Sequence, residues 1–342
     1  MKVICGSLAA VAILLSGACQ APPAKPAGVQ KEETAMFDLQ AHRGGRGLRP
    51  ENTLASFRHA LEIGVSTLEL DCGVTRDGVV VVSHDTRLNP DITRGPDGKF
   101  LAGPGERIAA LAYADLQRYD VGRINPASDY AKTFPNQQPS DGERIPRLAD
   151  VFALVQASGN TSVRFNIETK IDPTDPEGTV APDRFVLALL AAIRGAGMGP
   201  RVTIQSFDWR TLVLIKKVAP EIALVALTDQ QPGEDTMEVG KPGGSVWLGG
   251  LDVDDYGGSA PKTVAALGAG TWSPYALDLT PESVAEAHAL GLKIVPWTVN
   301  EPKDMERVIA AGVDGLITDY PDRLRAVLES KRMPVAAPTP PR

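Results

Sequence analysis

A closed (β/α)8 barrel is the fold class this sequence predicts, on three observations. Short β-branched runs alternate with amphipathic helical stretches, there are eight or nine such runs, and no Gly-rich phosphate loop follows the first of them. Alternation argues for parallel strands joined by helical crossovers, and the strand number without that loop favours a barrel over a doubly wound sheet. The strand runs are DLQAH, TLELD, VVVVSH, VRFNIET, RVTIQS, IALVAL, LKIVPWTV and DGLITD, with a weaker one at TWSPY. Between them lie TLASFRHALEIG, LADVFALVQASG, DRFVLALLAAIRGAG, TPESVAEAHALG and EPKDMERVIAAG, several of which open after Asn, Asp, Thr or Pro and close on Gly. Those are the start and stop signals of helices. At 342 residues, 43% hydrophobic and 23% charged, the chain can bury one large core, placed here at residues 37–330.

The ends are different. Lys2, the apolar stretch Leu8–Leu15 and the small residues Ser16, Gly17 and Ala18 form a secretory signal at residues 1–18, so export to the periplasm or cell envelope is expected. Cys19 follows, and LLSGAC is read in two ways: as a lipid attachment box, which would give a membrane tether through Cys19, or as ordinary cleavage after Ala18. Residues 19–36 are Pro- and Ala-rich and read as an extended tether, while residues 331–342 read as a disordered tail. Cys5 leaves with the signal, so no internal disulfide is expected and Cys72 is a small core residue. The formal charge of −7 offers no basic surface to nucleic acid or anionic lipid, so any phosphate must be met locally.

Barrel chemistry gathers at the carboxyl ends of the strands, and the polar residues fall there. His42 and Arg43 follow the first run, Glu69 and Asp71 lie on the second, and His84 ends the third. Glu168 and Lys170 end the fourth, Gln205 and Ser206 the fifth, Trp297 and Asn300 a late one, and Asp319 the last. Strand side chains alternate with period two, so Glu69 and Asp71 point the same way. Asp77-Gly78 is a two-residue hairpin signal; folding about it would set His84 opposite Asp71, and a parallel crossover would still bring His84 to the barrel mouth.

Carboxylates converging without Cys or clustered His call for a hard cation, Mg2+ or Ca2+ rather than zinc. The alternative is ion pairing of Glu69, Asp71 and Glu168 with Arg43 and Lys170 alone. His42 and His84 beside such a site suit general acid and base, whereas His59 and His288 sit inside helices. About sixty residues after the third run, roughly 86–145, form a loop-rich insertion, expected as a lid over the leaving-group pocket. Its Tyr119 and Tyr130, with Trp297, suit stacking on an ammonium headgroup, although core packing serves Trp297 equally well.

AHRGGRGLRPENTLASFRHALEIGVSTLELDCGVTRDGVVVVSHD, then FNIETK, QSFD, WTVN and DGLITDYPD, resemble the glycerophosphodiester phosphodiesterases, a family of the phospholipase C-like TIM barrels, from Phe37 to about Leu328. The resemblance implies hydrolysis of glycerophosphodiesters to sn-glycerol 3-phosphate and an alcohol with a divalent metal. It implies Glu69, Asp71 and Glu168 as metal ligands, His42 and His84 as the acid/base pair, and Arg43 and Lys170 as phosphate contacts. Glu51 and Asn52 match a supporting position beside the first histidine, and Glu51 and Trp297 are counted with the substrate-binding residues. Two other readings remain: phospholipase D-like or lyase action on lysophospholipids, which needs an apolar rim that 5% aromatic content disfavours, and an inactive envelope binding protein.

Overall fold

The computed structural model describes residues 1, 2 and 36–340. The expected leader (1–18) and tether (19–36), Cys19 included, lie outside the described residues apart from Met1, Lys2 and Met36. The strands are β1 (Asp38–Ala41), β2 (Thr67–Val74), β3 (Val80–Val82), β4 (Arg164–Thr169), β5 (Val202–Ser206), β6 (Ala223–Thr228), β7 (Thr271–Pro274), β8 (Lys293–Ile294) and β9 (Gly315–Thr318). The helices are α1 (Leu54–Ile63), α2 (Tyr113–Leu116), α3 (Tyr130–Thr133), α4 (Leu148–Ser158), α5 (Pro182–Gly195), α6 (Trp209–Val218), α7 (Ala260–Leu267), α8 (Pro281–Ala289), α9 (Pro302–Ala310) and α10 (Pro321–Ser330).

Every predicted strand forms, and eight of them build the barrel in the order β8-β7-β6-β5-β4-β2-β1-β9, all parallel. The last seam, between β8 and β9, is joined by backbone bonds from Asp314 to Ile294, from Ile317 to Pro296 and from Val299 to Ile317. Helix ends follow the sequence rules: Thr53 and Ser56 exchange capping bonds at the start of α1, and Gly64, in the left-handed region, ends it. Leu68, Leu70 and Cys72 of β2 join the apolar layer under the helices, and Thr67, Glu69 and Asp71 alternate into the lumen.

The lumen is polar and connected. The Asn166 amide donates to Gln40 Oε1 (2.9 Å) and to Gln205 Oε1 (2.7 Å). Gln205 Nε2 then donates to Glu69 Oε1 (2.7 Å), and Gln40 Nε2 to Asp38 Oδ2 (3.0 Å). One row of amides therefore links the amino-terminal floor of the barrel to the acids at its mouth.

β3 takes the hairpin alternative and corrects its register and turn. It pairs antiparallel with β2 as a hairpin arm outside the ring, so the insertion follows the second barrel strand. The register also differs by one residue: Cys72 faces Val82, and Ser83 N–H donates to the Asp71 carbonyl (3.0 Å). The turn uses three residues, Arg76, Asp77 and Gly78, with Gly78 at φ +82°, rather than the two residues Asp77-Gly78.

The insertion is packed, with its own apolar cluster of Val81, Leu88, Ile108, Leu111, Leu116, Val121 and Ile145. Tyr119 packs against that cluster rather than toward a ligand. The expected disordered tail is likewise docked over residues 331–340: Thr339 N–H donates to the Leu61 carbonyl (2.8 Å), Arg325 donates to the Ala336 carbonyl (2.7 Å), and Met333 and Val335 lie on the core. A Pro-rich segment is already extended, so it loses little freedom on docking. Residues 341 and 342 lie outside the described residues.

Candidate active site

Arg43 organises the mouth of the barrel. It follows β1 in a left-handed conformation (φ 52°, ψ 34°), sparsely populated for a residue with a Cβ. Three interactions hold it there: its backbone N–H donates to Glu69 Oε2 (2.7 Å), and its guanidinium reaches Glu51 Oε1 (2.8 Å) and Asp71 Oδ2 (3.4 Å). Gly44 continues at φ +80°, where an added Cβ would stand 2.4 Å from Ser56 Oγ, so helix α1 is seated directly on this turn.

Glu69, Asp71 and Glu168 meet as the alternation of β2 and the Asp71–Glu168 register of β2 and β4 require. One carboxylate oxygen from each lies within 4.8 Å of the others, and the residues are 1%, 1% and 7% exposed. Burial and the neighbouring Asp71 push the Glu69 carboxyl well above its usual range. Burial, with Asp71, pushes Glu168 up to about 7 although Lys170 Nζ stands 2.7 Å away. For Asp71 burial also acts upward, but Arg43, His84 and Lys170 more than offset it and hold that carboxyl below its usual range. Asp71 Oδ1 is buried with no hydrogen-bond partner among the described residues, whereas Oδ2 accepts from Asn52 Nδ2 (2.9 Å). A buried orphan oxygen beside two reluctant carboxylates fits a hard cation, which would satisfy the orphan and let all three ionise. Ion pairing alone leaves that atom unsatisfied.

The two histidines flank the acids. His42 Nδ1 lies 2.6 Å from Asp319 Oδ1, which also accepts from Arg46 Nε (2.7 Å), while Asn300 Nδ2 donates to Asp319 Oδ2 (2.8 Å). That carboxylate fixes Nδ1 as the protonated nitrogen, leaving Nε2 free to accept. Burial, followed by Arg46, lowers the His42 pKa to about 4 against the pull of Asp319. His84 Nδ1 lies 3.1 Å from Asp85 Oδ1, and Asn89 Nδ2 holds Asp85 Oδ2 (2.8 Å). Burial, then Arg43 and Lys170, lowers His84 as well. His59 and His288 instead pair with Glu62 and Asp314 on helices α1 and α8.

A cleft of about 430 Å³ opens beside His84, Glu168 and Lys170 and extends over the loops after β4, β5 and β6. Trp297 packs edge-on against Phe207 and Tyr275, each 5.2 Å between ring centres, and its Nε1 donates to the Ser273 carbonyl (3.0 Å). Glu51 departs from its expected substrate contact. It is 6% exposed, with one oxygen on Arg43 and the other accepting from the Tyr130 hydroxyl, so it positions Arg43. Tyr130 comes from the insertion and also accepts from Arg46 (3.3 Å), and Phe134 lies 5.0 Å under the Arg46 guanidinium. Sequence reasoning gave no role to Asp319, Gln205 or Asp85 in holding the site, and it put Asn52 beside the first histidine, whereas its amide holds Asp71. Position at a strand end was the available signal for Asp319 and Gln205, but nothing in one sequence pairs them with His42 and Glu69.

Residues 42–323 match the family model described as the glycerophosphoryl diester phosphodiesterase family. A glycerophosphodiester phosphodiesterase of Caldanaerobacter subterraneus subsp. tengcongensis is 31% identical over 284 residues, 83% of this chain and 94% of that protein. A crystal structure from Silicibacter pomeroyi DSS-3, assigned as a glycerophosphoryl diester phosphodiesterase, superposes with a TM-score of 0.78 at 36% identity, covering 89% of this chain and 96% of that one. An Oleispira antarctica phosphodiesterase solved with the product sn-glycerol-3-phosphate shares the fold at 21% identity and a TM-score of 0.62, over 86% and 97% of the two chains. With five separate motifs brought to one barrel mouth and these likenesses across most of its length, the chain belongs to the glycerophosphoryl diester phosphodiesterase family and is a glycerophosphodiester phosphodiesterase.

Proposed function

We propose that this enzyme cleaves glycerophosphodiesters to sn-glycerol 3-phosphate and an alcohol, with Mg2+ or Ca2+ held by Glu69, Asp71 and Glu168 and with His42 and His84 exchanging the protons. The observation that carries this reading is the buried trio of carboxylates with the unpartnered Asp71 Oδ1 between two imidazoles. The product bound by the Oleispira enzyme supports the same substrate class.

When bound, the cation supplies positive charge where negative charge grows on the phosphoryl oxygens. Arg43 and Lys170 bring two further cations to the same oxygens, and Glu51 fixes the direction of the first. His42, held neutral with Nε2 free, is the base that takes the proton of the glycerol 2-hydroxyl; the attacking oxygen forms the new P–O bond as the bond to the leaving alcohol breaks. His84 faces the open cleft and, paired with Asp85, gives its proton to the departing alkoxide. A water, deprotonated in turn by His84, then opens the cyclic diester while His42 returns its proton to the 2-hydroxyl.

Residues 1–19 support export, with Cys19 as a candidate lipid anchor. Among the described residues no helix is long and apolar enough to cross a membrane.

The test is glycerophosphocholine hydrolysis by metal-stripped protein. EDTA treatment should lower kcat/KM by about a hundredfold or more, with recovery on adding Mg2+ or Ca2+. Full activity of protein shown by elemental analysis to hold no metal would refute the metal assignment. Faster turnover of lysophosphatidylcholine would move the enzyme to the phospholipase D-like class.

A further inference from the structure

We infer that Arg46 is a positioning residue for the base: it locks the carboxylate of Asp319, which orients the His42 ring, and the inserted segment 130–137 acts on the reaction by holding Arg46 in place. This rests on the reading above that makes His42 the base.

Three side chains meet the two oxygens of Asp319. Oδ2 accepts from Asn300 Nδ2 (2.8 Å), and Oδ1 is shared by His42 Nδ1 (2.6 Å) and Arg46 Nε (2.7 Å). A carboxylate anchored at Oδ2 alone could swing about that bond and carry the imidazole with it. A second anchor at Oδ1 fixes its plane, and with it the direction of His42 Nε2. Asp319 is also buried. Burial acts upward on its pKa, but His42 and Arg46 more than offset it and hold the carboxyl below its usual range. Once His42 is neutral, as a base must be, the cation left in contact with this buried anion is Arg46.

The turn after β1 brings Arg46 to this place. Arg46 N–H donates to the His42 carbonyl (3.2 Å) and Gly47 N–H to the Asp319 carbonyl (3.0 Å), which seats the turn on the end of β9. An arginine side chain loses much rotamer freedom when fixed, and three residues of the insertion fix this one. Its Nη1 donates to the Tyr130 hydroxyl (3.3 Å), the Phe134 ring centre lies 5.0 Å from its Cζ, and Gln137 Nε2 donates to its backbone carbonyl (2.7 Å). Phe134 is buried and packs edge-on against Tyr130, 5.1 Å between ring centres. With Nε on Asp319, Nη1 on Tyr130 and one face on Phe134, the guanidinium is engaged by the protein itself. It is not among the described residues that line the cleft beside His84. The insertion, expected as a lid on the leaving-group side, thus also reaches the His42 side.

The experiment compares Arg46→Met with Arg46→Gln in the Ca2+-loaded enzyme. Both remove the charge and the stacked plane, but the amide nitrogen of a glutamine stands where arginine Nε stands along the side chain and can still donate to Asp319 Oδ1. Two quantities are read: kcat and KM for glycerophosphocholine, and the proton NMR signal of His42 Nδ1–H, assigned by its loss in His42→Gln. Arg46→Met should lower kcat about thirtyfold with KM within about twofold, and should broaden the Nδ1 signal. Arg46→Gln should keep the signal and bring kcat to within about fivefold of the unaltered enzyme, the remaining loss being that of the charge. In an Asp319→Asn background Arg46→Met should cost no more than about twofold, since the group it holds is already lost. Phe134→Leu, which leaves Arg46 in the chain, should lower kcat about threefold with KM unaltered, and covers the case in which Arg46→Met fails to fold. A rise in KM at constant kcat, equal losses from Arg46→Met and Arg46→Gln, a full loss in the Asp319→Asn background, or a sharp and unshifted Nδ1 signal in Arg46→Met overturns the positioning role. A chain that turns over no diester, yet loses the signal in Arg46→Met and keeps it in Arg46→Gln, upholds that role and overturns the hydrolytic reading.

Discussion

The two histidine–carboxylate pairs proposed to exchange the protons are built in opposite ways. His42 and Asp319 are 277 residues apart and meet where β9 closes on β1, at 2.6 Å, with the carboxylate anchored by Arg46 and Asn300. His84 and Asp85 are neighbours in the chain at the end of a hairpin arm, 3.1 Å apart, and their side chains are 31% and 36% exposed against 12% and 2% for the first pair. Fixed tautomer and neutral ring suit a base that must wait for its proton. Exposure beside an open cleft suits an acid that must be recharged from water after each turnover.

If that contrast is correct, the two carboxylates should differ in weight. Asp319→Asn should lower kcat by about a hundredfold or more, because an amide can present its N–H to Nδ1 and turn the free lone pair away from the substrate. Asp85→Asn should cost about tenfold or less. Comparable losses from steady-state kinetics would erase the distinction.

The pH profile sharpens it further. Asp319 raises the His42 pKa through charge and hydrogen bond, so Asp319→Asn lowers it and should move the acid limb of kcat/KM, set by deprotonation of the base, to lower pH. Asp85 raises His84, so Asp85→Asn should move the alkaline limb, set by loss of the acid's proton, to lower pH. Profiles between pH 4 and 9, with each variant shifting the opposite limb, would exchange the two roles.

The smallest effect concerns the insertion. Tyr130→Phe removes the hydroxyl that donates to Glu51 and accepts from Arg46, the latter bound to the Asp319 partner of His42. KM should rise about threefold to tenfold through Arg43, with a loss of roughly 1 kcal/mol in stability, and the His84 limb should stay in place. An unaltered KM with the same melting shift would make Tyr130 a packing residue only.

Much of this was legible in the sequence, for definite reasons. β-Branched runs marked most of the strands, and period-two spacing put Glu69 and Asp71 on one side of β2 without any knowledge of the neighbours. The Asp71–Glu168 pairing depends on register between β2 and β4, 97 positions apart, which a motif supplies and a single chain's pattern does not. The hairpin was read one residue out because Asp-Gly serves two-residue and three-residue turns alike, and only the bond from Thr75 N–H to the Val79 carbonyl distinguishes them. The docking of the insertion and the tail was hidden for another reason. Proline- and polar-rich segments carry no periodicity, so nothing in their pattern marks the scattered apolar side chains, such as Met333, or the backbone carbonyls of Leu48 and Leu61 through which they dock.

The row of amides through the lumen has a direction. Asn166 Nδ2 donates both ways, Gln40 and Gln205 each pass a donor outward, and the row ends on an acceptor at each side, Asp38 below and Glu69 above. No amide in it can flip without setting two donors or two acceptors face to face. The barrel's floor thereby polices the orientation of an acid at its mouth, so a change as remote as Asn166→Asp, inverting the centre of that row, would reach the three buried carboxylates without touching any of them.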